Sequence, residues 1–395
     1  MKSVKFFVTF IVIILFIFPT VYSAHYIVGI VNDARDGTSA NGKYVVLFKQ
    51  TNVSDNLTDI IGPLGNSGYN NIYMIDCELL KNPCNIGDTL IITILNTGDN
   101  YISSNVSVTV SSAGYDIAPN LTVNSPPSIL SLIVDDSISS PPNEIDLVAA
   151  GNRTVSCIGI VNDMDNDTLQ NITARFFDSS FSNYNDIDDN NKHYTNNSCY
   201  LNSSYIGNPG DKEIICNFYV MYYANSGNWN CILRVEDNLS AFKNSSDSTF
   251  INQLLAIGVD SFIDYNSVSP NLVSDEVKVN VTNYGNVKIN LSLRGYAVNE
   301  NDNFAMNCTV NNISIMHQKY NLTASNPGNL TLSKMTNYTN LSSSPIIKKF
   351  NLNYRQNDDY NDAINTTYWR IYVEPGVNGT CSGHIQFGAV IGAGT

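Results

Sequence analysis

The chain has 395 residues, enough for two or three domains of ordinary size. Its net charge is −14 and only 14% of its residues are charged. That balance argues against nucleic acid as a partner, since phosphate contacts need clustered Lys and Arg, and against anionic membrane surfaces. The alphabet is rich in Asn, Ser, Thr, Tyr, Ile and Val, which forms strands with uncharged, hydrogen-bonding outer faces.

Lys2 and Lys5 precede an almost unbroken apolar run, Phe6 to Phe18, which Pro19 breaks before Val21-Tyr22-Ser23. This is the layout of a secretory signal peptide with cleavage near Ser23. An uncleaved anchor is the alternative, but the run is shorter than the ~20 residues of a spanning helix. Membrane contact is therefore expected only through this segment, if it is retained. Eight cysteines follow, an even number suited to an oxidising compartment. No C-x-x-C occurs, and His25, His193, His317 and His384 are scattered, so zinc is set aside.

His25–Ile30 reads as a first strand, Asp36–Gly42 as turn chemistry, and Tyr44–Phe48 as a second strand. Further strands are expected at Thr89–Ile94, Asn105–Val110 and Asn120–Val123. Short strands with turns every ten or so residues indicate a β-sandwich. His25-Tyr26-Ile27-Val28-Gly29, Asp36-Gly37-Thr38 before Ala40-Asn41-Gly42, and Ile86-Gly87-Asp88-Thr89 resemble the transthyretin-like, carboxypeptidase-regulatory-type sandwich. The resemblance implies a fold and no activity.

Ser125-Pro126-Pro127 reads as a stiff linker. Ser139-Ser140-Pro141-Pro142 lies between strand-like runs and reads as a loop inside the next unit. Strands are expected at Ile129–Val134, Ile145–Val148, Cys157–Val161 and Asn171–Phe176, then a long acidic loop, Asp178–Lys192. Cys199–Tyr205 and Glu213–Tyr223 suggest a hairpin. Trp229-Asn230-Cys231, entered from Ala224-Asn225-Ser226-Gly227, resembles the corner of an immunoglobulin-type sandwich, with Trp229 where tyrosine is usual. The resemblance implies a bridge from Cys231 to Cys157; two unrelated strand cysteines are the alternative. Nearest-domain logic adds Cys77–Cys84, Cys199–Cys216 and Cys308–Cys381, although spacing does not prove connectivity.

A third unit begins near Leu254. Val277–Thr282, Asn283-Tyr284-Gly285-Asn286 and Val287–Leu293 carry a hairpin signal. Tyr368–Val373 and Cys381–Phe387 read as a closing pair of strands. Pro126-Pro127-Ser128-Ile129 with Val134-Asp135-Asp136-Ser137, the Cys157/Trp229-Asn230-Cys231 pair, Thr282–Asn286, and Trp369 with Cys381-Ser382-Gly383 resemble multidomain immunoglobulin-like surface proteins of small-genome archaea. The expected organisation is a signal peptide (1–23), a transthyretin-like sandwich (24–124), an immunoglobulin-like sandwich (125–253) and a C-terminal sandwich (254–395), all β.

About twenty Asn-x-Ser/Thr triplets occur, including Asn105, Asn120, Asn171, Asn238, Asn280, Asn290, Asn312, Asn321, Asn329, Asn340, Asn365 and Asn378. In a strand the apolar middle residue points inward and the Asn outward. Several are expected to be glycosylated if the chain is exported, although an Asn-rich outer face also makes such triplets by accident. Asp163, Asp165 and Asp167 follow the Cys157 strand, Asp186, Asp188 and Asp189 lie in the long loop, and Glu236-Asp237 follows the Cys231 strand. Asp163, Asp165, Asp167 and Asp237 are a candidate calcium set, since alternate carboxylates offer oxygens to a hard cation. A solvated acidic loop is the competing reading, and no cofactor is required.

No G-x-S-x-G, H-E-x-x-H or Walker loop is present, so no catalytic residue is assigned and an enzyme is not expected. Tyr219, Tyr222 and Tyr223 suit core and sheet-face packing better than a sugar-binding stripe. The reading is an exported structural or adhesive protein, secreted or on the outer cell surface, contacting other surface proteins or glycans. One alternative is a subunit that polymerises through an exposed sheet edge, which implies a homo-oligomer. Another is a carbohydrate-active enzyme or binding module, since paired carboxylates can come from anywhere in a fold.

Overall fold

A computed structural model describes residues 23–33, 40–95, 102–103, 105–136, 141–358 and 363–392. The expected signal segment through residue 22, and the Asp36-Gly37-Thr38 turn, lie outside these residues. Among them, every regular element is a strand apart from short 3-10 turns. No helix there is long and apolar enough to cross a membrane. Burial alternates along the strands and gathers the apolar residues into three separate cores.

The N-terminal core spans Ile27 to Val123. One sheet orders Ile72–Asp76, Tyr26–Asp33, Leu121–Asn124 and Ile102–Ser103, with Tyr115–Ile117 also on Tyr26–Asp33. The opposing sheet orders Asn52–Ile60, Tyr44–Lys49, Thr89–Ile94 and Val106–Thr109. Asn52–Ile60 is a strand that its polar sequence hides. Two of its inward residues are aspartates, Asp55 and Asp59, at 5% and 6% exposure. Asp55 accepts from the Lys81 and Asn82 amides, and Asp59 from those of Ile60, Asn66 and Met74. Carboxylates thus take core-facing places because backbone donors satisfy them.

The middle core runs from Val134 to Ile251. One sheet orders Ser128–Asp136, Asn152–Asn162, Asp211–Met221 and Tyr200–Leu201. The other orders Glu144–Ile145, Phe242–Ile251, Gly227–Asp237, Leu169–Asp178 and His193–Asn196. A disulfide joins Cys157 to Cys231 across the two sheets. Fully buried Trp229 packs on Phe176, with ring centroids 4.8 Å apart. Its indole donates to the Asn225 carbonyl at 2.9 Å, tying the strand to the turn that leads into it. Cys199–Cys216 fastens the short strand Tyr200–Leu201 to its neighbour. His193, just past the acidic stretch Asp178–Lys192, opens a strand, is fully buried and stacks on Phe177.

The C-terminal core runs from Tyr265 to Val377. Here the expected hairpin fails. Val277–Asn283 pairs with Ile257–Val259 and Ile364–Ile371, whereas Ile289–Tyr296 pairs with Ile346–Leu352 and His384–Ile391. The two strands lie in opposing sheets and bury Val279, Val281, Ile289, Leu291 and Leu293 in one core. Asn283 is the reason. It is fully buried, donates to the Val287 carbonyl at 2.8 Å and accepts from the Gly285 amide, turning the chain across the sandwich. Gly285 has no room for a side chain, since a Cβ there would lie 2.0 Å from the Leu254 carbonyl oxygen. The expected closing pair also separates: Ile364–Ile371, Asn378–Ser382 and His384–Ile391 belong to three different sheets. Cys308–Cys381 and Cys77–Cys84 complete four disulfides.

Candidate metal centre at the first domain junction

The strand Asn152–Asn162 ends in the turn that carries Asp163, Asp165 and Asp167. Asp163 Oδ1 accepts from the amides of Asp165 and Asp167 at 3.0 and 3.4 Å, folding the turn back on itself. One carboxylate oxygen from each of the three residues then falls within 4.8 Å of the others. Asp237, at the end of Gly227–Asp237, is fully buried beside them. Its Oδ1 accepts from the Leu239 and Ala241 amides.

The N-terminal unit completes the place. Asn124, the last residue of Leu121–Asn124, is 4% exposed and donates to Asp237 Oδ2 at 2.7 Å. The next amide, Ser125, donates to Asp165 Oδ2. Asp33 ends the strand beside Leu121–Asn124, and Lys43 pairs with it at 3.2 Å. Four buried oxygens have no hydrogen-bond partner: Asn124 Oδ1, Asp163 Oδ2, Asp165 Oδ1 and Asp167 Oδ2. A buried polar atom left so costs about 1–3 kcal/mol, and more when charged.

The electrostatics agree. Burial pushes the carboxyls of Asp163, Asp165 and Asp167 above the usual carboxylate range. Repulsion adds to this: Asp167 and Asp237 act on Asp163, Asp33 and Asp163 on Asp165, and Asp237 on Asp167. The site stores negative charge that a cation would relieve, and its donors are all hard oxygens.

The structure thus gathers Asp163, Asp165, Asp167 and Asp237. The other acidic group goes elsewhere: Asp186 accepts from Ser182 and Asn183, Asp188 from His193, and Asp189 pairs with Lys192. The sequence reading missed Asn124, Ser125 and Asp33. A signal for Asp33 is present, because Gly29-Ile30-Val31-Asn32-Asp33 recurs as Gly159-Ile160-Val161-Asn162-Asp163. The first copy ends a strand with a buried aspartate and the second puts one just past a strand end.

The sequon asparagines divide by environment. Asn105, Asn120, Asn171, Asn238, Asn280, Asn329, Asn340, Asn365 and Asn378 are exposed, while Asn290, Asn312 and Asn321 are half-buried. Asn290 uses its carbonyl to accept the Phe350 and Asn351 amides. Of the three tyrosines, Tyr219 is 65% exposed but Tyr222 and Tyr223 are buried, so they form no surface stripe.

No family model matches the sequence, and no curated protein does. Among solved structures, the chain is similar to BcpA, the major pilin subunit of Bacillus cereus, at 9% identity and TM-score 0.29, over 93% of this chain and 95% of that one. It is similar to the full-length major pilin SpaD from Corynebacterium diphtheriae at 8% identity and TM-score 0.28, over 89% and 82%. A tetra-tandem repeat in the extending region of a large adhesion protein shares 10% identity at TM-score 0.25, over 93% and 74%. At these scores the likeness carries no argument about function.

Proposed function

We propose that the chain is an exported, non-catalytic protein with a structural or adhesive role at the cell surface, acting through protein or glycan contacts. The observation that carries this reading is the way the units are built and joined. Each of the three sandwiches has its own closed core and at least one disulfide. The middle and C-terminal units are also fastened directly to each other. Asn286 donates to the Ala224 and Asn252 carbonyls, and Asn191 to the Arg355 carbonyl. Tyr223 donates to Asp358, and the Arg355 guanidinium lies 4.5 Å from its ring centroid. Oxidised sandwiches, two of them fastened directly to each other, suit a load on the outside of a cell, where bridges persist. Exposed sequons over such a surface would carry a hydrated coat.

The test is mass spectrometry of the native protein, reduced and non-reduced, together with surface labelling of intact cells. The expected result is a chain starting near Ala24, four bridges, sugar on several of the exposed asparagines, and labelling from outside. An intracellular chain with free thiols overturns the reading.

A second reading, a polymerising subunit, is favoured by one feature. His384–Ile391 lies at the edge of its sheet and is nowhere fully buried along its length. Such an edge can accept a strand from another copy. Sedimentation at rising protein concentration separates the two, since only the polymer grows.

A further inference from the structure

We infer that the first junction is a calcium site shared by two sandwiches, with Asp163, Asp165 and Asp167 from the middle unit and Asn124 from the N-terminal unit as ligands. This goes beyond the proposed surface role and does not depend on it. Calcium takes about six to eight oxygens at roughly 2.3–2.6 Å. Opposite ligands on such an ion are therefore about 5 Å apart, and the three aspartate oxygens lie within 4.8 Å of one another. The observation that turns an acidic turn into a site is Asn124. Its amide nitrogen is held by Asp237, which leaves its carbonyl oxygen buried, uncharged and without a partner at the junction where three carboxylate oxygens are also unpartnered and the next amide, Ser125, reaches Asp165.

Magnesium fits this place less well, because it holds its ligands at about 2.0–2.1 Å and keeps several of its waters. The cluster contains no histidine or cysteine, so zinc and copper lack their preferred donors. Water or backbone carbonyls would complete the shell. Because Asn124 and Ser125 precede Pro126-Pro127 while the aspartates follow, an ion here bonds to both sides of the linker. Occupancy then sets the angle between the first two sandwiches, and loss of the ion loosens it.

The experiment uses the mature chain, residues 24–395, stripped with chelator. Calcium chloride is titrated by calorimetry, with magnesium chloride as comparator, while thermal unfolding and small-angle scattering are followed. The expected result is one equivalent of calcium bound at least about tenfold more tightly than magnesium. At one hundred times Kd, calcium should raise the unfolding midpoint by several degrees and narrow the distribution of overall dimensions. Asn124→Ala should weaken calcium by about tenfold or more. Asp165→Asn should abolish tight binding yet still fold in chelator, because it relieves repulsion there. No calcium binding by the wild type overturns the site. Unchanged affinity in a folded Asn124→Ala variant overturns the sharing between units.

Discussion

At the second junction Asn286 is buried, and both ends of its side chain are satisfied: the amide nitrogen donates to Ala224 and Asn252, and the oxygen accepts from the Leu254 amide. At the first junction Asn124 is equally buried but only half satisfied, with its nitrogen on Asp237 and its oxygen on nothing. The second junction is an aromatic-lined joint with an edge-on Tyr222–Tyr284 pair at 5.8 Å, and its Asp358 carboxylate is met by Tyr223, Asn190 and the charge of Arg355. The first gathers aspartates whose carboxyls are pushed up by burial and mutual repulsion. The difference teaches that one joint closes with the chain's own groups, while the other is left open to whatever cation the surroundings supply.

The largest way to break the comparison is Trp229→Ala. Trp229 fills the middle core and holds Asn225, which in turn accepts from Tyr354 of the C-terminal unit. Loss of its bulk should cost about 3–5 kcal/mol, read as a lower urea midpoint, and should loosen the second joint with the core. Asn286→Ala comes next. It strands the buried Ala224 carbonyl, the half-buried Asn252 carbonyl and the Leu254 amide, so a loss of about 1–3 kcal/mol is expected, the same with calcium or chelator. A loss that calcium abolishes would mean the two joints are not separate. Tyr223→Phe removes the 2.6 Å hydrogen bond to Asp358, for about 0.5–1.5 kcal/mol in the same denaturant assay.

The smallest effect is the most discriminating, because its sign differs between the joints. Hydrogen bonds from Tyr223 and Asn190 hold the Asp358 carboxyl below the usual range. Its contribution is present at neutral pH and is lost as pH falls through that depressed value. In chelated protein the raised Asp163, Asp165 and Asp167 do the reverse: their stabilisation is present at acid pH and is lost as pH rises through the raised values. Urea midpoints between pH 7 and the carboxylate range should show both limbs. Asp358→Asn flattens the acid loss and Asp165→Asn flattens the acid gain. A chelated Asp165→Asn chain with an unchanged pH profile contradicts the account of the first joint.

Much of this architecture was readable residue by residue. Strict alternation marked Val106–Thr109, because a period of two survives wherever one face is buried, and a strand-like apolar run marked the strand that carries Cys157. The cysteine pairs of nearest-domain logic are those that the structure joins. Asn52–Ile60 escaped because its inward aspartates look like loop residues until distant amides reach them. Asn283-Tyr284-Gly285-Asn286 misled because the residues that favour a tight hairpin also suit a crossing between sheets. The three aspartates of the first joint were visible as a run, but Asn124 was not, since nothing near it in the chain tells its environment.

The sequence by itself determined the β class, an even set of thiols available for bridging and the acidic turn. These are properties of local period, of thiol count and of neighbouring charges, all of which act over a few residues or through simple pairing. Only the tertiary structure decided which strands share a sheet and which two polar side chains meet across a linker. Those outcomes depend on where distant backbone donors and carbonyls come to rest, and an asparagine is a sequon, a turn or a ligand according to what the fold places against its amide.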